Sequence, residues 1–310
     1  MSKISLIIPV FNSEKYLPIL FNSINDQNYL DYEVIIINDG STDNSLDIIK
    51  KYITQNKRIK VFTIKNSGPG IARKIGFEKS TGDLLFFVDS DDKLPSNDVL
   101  NNINRIYAHH KFDIMFFKYV RKCNEKESIV CSLPQSKYSD GLYGIESIKN
   151  DKILSALWCK IFVRKKMSIK FFVDANNFED CYTTYNYLNV CKNFYFYDGI
   201  CYYSNRDLAT SLSKKNDVNK MLKTIAVLKQ AYSKTFFKKS IVFTLSEYYL
   251  FARRSLDKWK ITKSEKRDVL SKLEELHKMI KEHNLFVLNI SLKHKLMYLY
   301  YKLRDEIYEK

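Results

Sequence analysis

Over the first ninety residues, short β-branched apolar runs alternate with stretches whose apolar positions recur at helical spacing, and each run ends in turn-forming polar residues. Ile4 to Val10 (ISLIIPV) closes on Pro-Val-Phe-Asn, and Tyr32 to Ile37 (YEVIII) closes on Asn38-Asp39-Gly40, so both predict buried strands. Between them, Ser13 to Asn25 sets Tyr16, Leu17, Leu20 and Ile24 on one helical face, and the stretch from Ser41 to Tyr52 does the same with Leu46, Ile49 and Ile53. A third run, Ile59 to Ile64, meets Lys65-Asn66-Ser67-Gly68-Pro69-Gly70 before a helix over Ile71 to Lys79. A fourth, Asp83 to Val88, stops at Asp89-Ser90-Asp91-Asp92. This βαβα order predicts an α/β fold with a mostly parallel central sheet. Ligands of open α/β sheets bind outside the carboxyl ends of the strands, so the loops at Pro9, Asp39, Gly68 and Asp89 are expected to converge on one crevice.

From about Pro95 the pattern loosens. It predicts a helix over Val99 to His109, a strand near Asp113 to Tyr119, a polar loop at Lys122 to Glu127 and a helix around Tyr143 to Ile153. A helix to Leu188 follows Phe178-Glu179-Asp180, and then an aromatic strand, Phe194 to Tyr203. Beyond Ser213 only helical periodicity remains, at Met221 to Tyr232, Ser240 to Arg254, Ser264 to His283 and Leu292 to Ile307. The expected organisation is an α/β domain over 1–213, whose strand-rim loops lie in 1–95 and whose second half is 96–213, followed by an all-helical subdomain over 214–310.

Charge changes this picture at the C-terminal end. The 310 residues carry a net charge of +16, and residues 214–310 hold 23 Lys/Arg against 11 Asp/Glu. Such a basic module can attract nucleic acid, an anionic membrane or an acidic glycan, or be a solvated set of Lys-rich helices; charge alone does not choose. No nucleic-acid motif is present, so no nucleic-acid partner is expected. The six cysteines lack C-x-x-C spacing and read as reduced cytosolic thiols. The first apolar run is too short for a leader and reads as a strand. The greasiest late stretches are broken by Glu247, Lys293 and Lys295, so no segment reaches the roughly 18 apolar residues that span a bilayer. A cytoplasmic protein, at most peripheral to the membrane, is expected. His277 and His283 lie too far apart for a shared zinc and are expected at the surface. No Gly-Lys-Ser/Thr follows Gly68-Pro-Gly70, and no Gly-x-Ser-x-Gly occurs, which excludes the P-loop and nucleophile-elbow classes.

Asp89-x-Asp91 has the clearest chemical purpose. Two carboxylates on a tight turn at a sheet rim can hold a hard divalent cation, leaving coordination positions for the phosphates of a nucleotide sugar. A solvated Asx turn is the other reading of the same residues. Three further motifs accompany it in order: Pro9-Val10-Phe11-Asn12, then Asn38-Asp39-Gly40-Ser41-Thr42-Asp43, then Ala72-Arg73-x-x-Gly76. Together these resemble the family-2 glycosyltransferases, whose pattern runs P-V-Y-N, D-G-S-x-D, N-x-G-x-x-x-A-R-N-x-G and D-x-D. The resemblance is close over residues 4 to 92 and looser to 213. Phe11 stands in place of the common Tyr, Lys74 in place of the Asn of A-R-N, and Pro69 sits between two glycines.

That resemblance implies a GT-A fold, a UDP-sugar donor and a Mn²⁺ or Mg²⁺ ion. It implies that Pro9, Val10, Phe11, Asn12 and Asp39 grip the uracil with Glu14 nearby, and that Gly68 and Ser90 complete the donor set. Asp89 would reach ribose and metal, Asp91 the metal, and Arg73 would steady the site. Asp39 can equally close an Asx turn, and Arg73 can equally be a surface helix charge. Glu179-Asp180 resembles the family's E-D pair, with Asp180 as catalytic base and Glu179 contacting the acceptor; a carboxylate at a helix start is also an ordinary cap. Trp158-Cys159-Lys160 resembles the acceptor-side W-N-K, with core packing the alternative for Trp158. Tyr203-x-x-Arg206 with Ser211-x-Ser213 resembles a segment that closes over the diphosphate, which makes Arg206 a diphosphate contact, although Leu208 departs from the pattern. The implied activity is inverting transfer of a hexose or N-acetylhexosamine to a glycan or lipid-linked glycan, in synthesis of a bacterial surface polysaccharide, capsule or lipooligosaccharide. The basic aromatic segments Phe236-Phe237-Lys238-Lys239 and Tyr298-Leu-Tyr300-Tyr301-Lys302 would meet an anionic membrane. The alternative is a catalytically inactive nucleotide-sugar-fold protein whose basic tail binds nucleic acid or a partner.

Overall fold

A computed structural model describes residues 1–123, 125–134, 137–175, 178–205, 217–259 and 261–283. The first four strands are β1 (Ile4–Val10), β2 (Tyr32–Asn38), β3 (Ile59–Thr63) and β4 (Leu84–Phe87), joined by helices α1 (Leu17–Asn25), α2 (Ser45–Gln55) and α3 (Pro69–Lys79). They pair in parallel in the order β3-β2-β1-β4. The chain thus leaves β1 in one direction through β2 and β3 and returns to its other side at β4. The switch point of the sheet lies between β1 and β4, above their carboxyl ends.

After α4 (Val99–His110) the sheet continues through β5 (Ile114–Cys123), β6 (Lys126–Cys131), β7 (Gly141–Gly144), β8 (Lys160–Val163), α5 (Glu179–Leu188) and β9 (Asn193–Asn205). Six strands, β1 to β5 and β9, run one way, while β6, β7 and β8 run the other. The sheet is therefore mostly parallel, as expected. β8 is a four-residue strand lying antiparallel between β4 and β5.

Three local expectations change. The stretch around Tyr143 to Ile153 is not a helix: Leu142 and Tyr143 pair with Tyr195 and Phe194 on β9, and a short 3-10 turn follows at Ile145–Ile148. The Tyr143 ring stacks on Phe194 with centroids 5.3 Å apart, a cross-strand contact that outweighs local helical spacing. Within the polar segment expected as a loop, Lys122 and Cys123 end β5 and pair with Glu127 and Lys126 at the start of β6. His277 is buried beside Tyr249 rather than exposed.

Alternating strand residues feed the two sides of the sheet. Ile4, Leu6 and Ile8 with Val34, Ile36 and Phe86 pack under α1 and α4. Ile7, Leu85 and Phe87 face the other side, where α5 and the C-terminal helices α6 (Val218–Lys234), α7 (Lys238–Lys258) and α8 (Lys263–Lys281) share one apolar cluster. The Tyr185 hydroxyl meets Ser240 Oγ at 3.1 Å, and the Phe178 ring meets Tyr248 edge-on. The boundary expected near Ser213 and the helix expected over Leu292 to Ile307 lie outside the described residues. Among the described residues no helix is long and apolar enough to cross a membrane.

At the opposite end of β2 from the site, the buried Glu33 carboxylate accepts from Ser5 Oγ (2.8 Å), Thr81 N (2.6 Å), Thr81 Oγ1 (2.9 Å), Lys3 Nζ and Lys60 Nζ (both 3.2 Å). Burial disfavours its charge, but these donors outweigh burial and bring its pKa down to about 2. The folded state therefore holds this proton less tightly than the unfolded chain, and the stabilisation is complete above about pH 5. We expect about 2 to 3 kcal/mol to be lost as pH falls from 5 toward 2. Urea unfolding across that range checks this, and in Glu33→Gln this part of the acid dependence should be missing.

Candidate active site

The loops after β1 and β2 bind one another through side chains. Asn12, in the left-handed region at φ 49°, donates its N–H to Ser41 Oγ and accepts from Thr42 N at 2.8 Å. Ser13 N donates to Ser45 Oγ, Glu14 N to Asp43 Oδ2, and the Glu14 carboxylate accepts from both Asn44 N and Asn44 Nδ2 at 2.9 Å. Ser13 Oγ also meets Ser90 Oγ at 2.7 Å. The loops after β1, β2 and β4 thus form one rim, from which the Phe11 ring projects, about a third exposed. Pro9 and Val10 are the last residues of β1.

Asp39 is buried and accepts from Ser67 N (2.7 Å, Oδ1) and Gly68 N (2.8 Å, Oδ2). It therefore clamps the β3–α3 loop as well as ending β2. Gly68 adopts φ 86°, a conformation that suits glycine, and begins α3. Gly76, two turns on, lies so close to β1 that an added Cβ would meet Ile7 Cγ2 at 2.4 Å. The A-R-x-x-G spacing follows from this: Gly76 seats α3 on the sheet, and Arg73 points from the same helix to the rim.

Arg73 is not a surface charge. It is 6% exposed, and its NH2 donates to Asp89 Oδ1 at 2.8 Å while NH1 donates to Glu179 Oε1 at 2.8 Å and Asp180 Oδ1 at 3.2 Å. Burial works against this charge, but Asp180, Asp89 and Glu179 outweigh it and raise the guanidinium's pKa. Glu179, buried beside Asp180, is pushed up to about 7 against the pull of Arg73. Burial also raises Asp180; Arg73 opposes this, and Asp89 adds to it. Glu179 and Asp180 form the first turn of α5, and Leu157 N reaches Asp180 Oδ2 at 3.4 Å. Two carboxylates that share one cation in a buried site can hold a proton between them near neutral pH.

Asp89, Asp91 and Asp92 each present a carboxylate oxygen within 4.8 Å of the others, the donor set a hard divalent cation takes. Asp92 was not singled out from the sequence, although it completes the D-S-D-D run. Burial first, then Asp91 and Asp89, push its carboxyl well above the usual range.

Two residues that the resemblance put near an acceptor lie inward. Trp158 is buried, stacked on Tyr202 at 4.8 Å and edge-on to Tyr119 at 4.7 Å, so its faces are spent on packing. Lys160 is fully buried and donates to the carbonyls of Leu154 and Ala156. A fully buried ammonium satisfied by backbone carbonyls shapes the 154–156 loop rather than meeting an acceptor at the surface, and its charge works against the rise that burial gives the Asp180 pKa. Arg206, Ser211 and Ser213 lie outside the described residues.

The glycosyl transferase family 2 model matches residues 5–171. The chain belongs to glycosyl transferase family 2. As a family-2 glycosyltransferase it has relatives of several kinds. A Haemophilus influenzae protein named an uncharacterized glycosyltransferase is 32% identical over 239 residues, which is 64% of this chain and 94% of the relative. The Staphylococcus aureus poly(ribitol-phosphate) β-N-acetylglucosaminyltransferase TarS is 26% identical over 238 residues, 73% of this chain but 40% of TarS. The crystal structure of TarS 1–349 in complex with UDP matches with a TM-score of 0.70 at 21% identity, covering 90% of this chain and 81% of that one. The fold of this glycosyltransferase is the GT-A type.

Removing the Arg73 cation leaves buried carboxylates unpaired. Arg73→Gln is expected to cost about 3 to 5 kcal/mol at pH 8. At pH 6 the cost should be smaller, because Glu179 and Asp180, with folded pKa values raised further, then bind protons that the unfolded chain does not. Urea unfolding of both proteins at the two pH values measures the difference.

Proposed function

We propose that this glycosyltransferase moves a hexose or N-acetylhexosamine from a UDP-sugar to a hydroxyl of a glycan acceptor with inversion at the anomeric carbon. The observation that carries the proposal is the Arg73 guanidinium, which joins the Asp89 turn to the Glu179–Asp180 pair. Donor-side and acceptor-side carboxylates therefore face each other across one cation.

In this reading Asp180 takes the proton of the acceptor hydroxyl. The acceptor oxygen bonds to the anomeric carbon as the bond to the diphosphate oxygen breaks, and UDP leaves with that electron pair. The raised proton affinity that burial gives Asp180 brings it closer to the range where a general base works best. Arg73 fixes the carboxylate's direction, so positioning and electrostatics supply most of the barrier reduction. Pro9, Val10, Phe11, Asn12 and Asp39 hold the uracil; the knitted loops around Asn12, Glu14 and Ser90 and the Asp39 clamp on Gly68 support that role. Glu179, which accepts from the same Arg73 NH1 as Asp180, would border the acceptor. Asp89 and Asp91 would hold Mn²⁺ or Mg²⁺, which when bound supplies Lewis-acid stabilisation of charge on the departing diphosphate. The UDP complex of TarS supports a uridine donor. The acceptor is proposed to be a bacterial surface glycan carried at the cytoplasmic membrane, where exposed Phe236 and Lys239 would face anionic headgroups.

UDP release from UDP-glucose, UDP-galactose, UDP-GlcNAc and UDP-GalNAc with Mn²⁺ tests the reading. At least one donor should turn over, and Asp180→Asn should slow it by about 10² to 10⁴-fold while leaving calorimetric UDP affinity intact. Asp91→Ala should weaken Mn²⁺-dependent UDP binding. Absence of release from every donor, with UDP affinity indifferent to Asp91→Ala, overturns it.

A further inference from the structure

Tyr202 lies on β9, which is separated from β4 by β8 and β5, yet its side chain ends at the acidic turn that follows β4. The ring is fully buried between Trp158, stacked at 4.8 Å, and Phe86, tilted at 6.0 Å. Its hydroxyl accepts the backbone N–H of Asp89 at 2.9 Å and donates to Asp92 Oδ2 at 2.8 Å. The other Asp92 oxygen, Oδ1, accepts from Asn205 N at 2.7 Å. One residue beyond Asp92 and one beyond Tyr202, Lys93 and Tyr203 exchange backbone hydrogen bonds of 3.2 and 3.0 Å. The turn is thus docked on the last residues of β9 by bonds to both its backbone and its side chains.

Asp89, Asp91 and Asp92 bring carboxylate oxygens within 4.8 Å of one another, a crowding that a free turn would relieve by spreading. The Tyr202 hydroxyl opposes this at two points, since one oxygen fixes both the Asp89 backbone and the Asp92 rotamer. Its ring cannot swing away, because Trp158 and Phe86 close it in. We propose that Tyr202 is a positioning residue for the divalent-cation site: it holds the Asp89–Asp92 turn in its binding geometry before the cation arrives. The inference rests on the reading of that turn as a metal site and names what preorganises it.

The experiment uses the full chain and Mn²⁺ alone. Wild type and Tyr202→Phe are titrated with Mn²⁺ by electron paramagnetic resonance, without donor, and UDP release is then followed against Mn²⁺ concentration. Loss of a hydrogen bond to a charged group predicts Mn²⁺ affinity weakened by about 10-fold or more. Saturating Mn²⁺ should restore most of kcat, so the defect appears in the metal dependence. Tyr187→Phe serves as the comparison: that buried hydroxyl bonds the carbonyls of Asp113 and Val163 away from the turn. It should lower the melting temperature without moving the Mn²⁺ affinity. Equal affinity in wild type and Tyr202→Phe overturns the proposal, as does an equal loss in Tyr187→Phe. Should Tyr202→Phe not fold, hydrogen exchange of the wild type decides. The Asp89 amide should be protected equally with and without Mn²⁺, and protection that appears on adding Mn²⁺ overturns preorganisation. Failure of wild type to bind Mn²⁺ at all counts against the metal site itself, a separate outcome.

Discussion

The buried guanidinium of Arg73 is the contact on which the site's architecture depends. It reaches Asp89 after β4 and Glu179 and Asp180 at the start of α5, residues separated by about ninety positions in the chain. A cation in this position stays only if it is paired, and it in turn opposes the rise in proton affinity that burial gives the carboxylates. Such a cluster is weak evidence for stability, because desolvation of each charge offsets the attraction. It is strong evidence for geometry, because it leaves few arrangements in which every charge is satisfied. Gly70 fits the same constraint: a Cβ there would meet Val173 O at 2.6 Å, so α3 and the segment leading into α5 approach as closely as backbone allows.

Around this cluster the two halves of the site are held by different means. The rim after β1 to β3 is knitted by side chains that cap neighbouring loops: Asn12 to Thr42, Glu14 to Asn44, Asp39 to Ser67 and Gly68. The Glu179–Asp180 pair depends on α5, and α5 depends on packing from behind. Tyr185 bonds Ser240, Tyr182 accepts from Lys234 Nζ at 2.8 Å, and Phe178 meets Tyr248. The C-terminal helices therefore bear on the first turn of α5, where the two carboxylates sit.

Much of the N-terminal half was legible because its information is local. Short β-branched apolar runs, turn residues at their ends and helical spacing between them are properties of ten-residue windows, and β1 to β4 with α1 to α4 follow them closely. The motifs singled out Arg73, Asp89, Glu179 and Asp180, which the structure brings into one cluster, whereas Asp39 clamps Ser67 and Gly68. Later elements were less legible. β8 is four residues long and owes its existence to the edges of β4 and β5, and the β7 segment follows the Phe194 ring rather than its own periodicity.

The sequence by itself determined which residue types stand at the ends of the strands, and hence the fold class and the chemistry available at the rim. The tertiary structure alone decided how those residues are used. Trp158 and Lys160 look like surface contacts in the chain but are buried by Tyr202, Tyr119 and the 154–156 carbonyls. Arg73 could be a surface helix charge or the centre of a buried cluster, and no local pattern separates the two. Tyr202 is one tyrosine among several on an aromatic strand until β9 carries its hydroxyl to Asp89 and Asp92. The physical reason is common to all of them. Burial and pairing are set by chain segments far apart in sequence, whereas turn chemistry and hydrophobic period are set by neighbours.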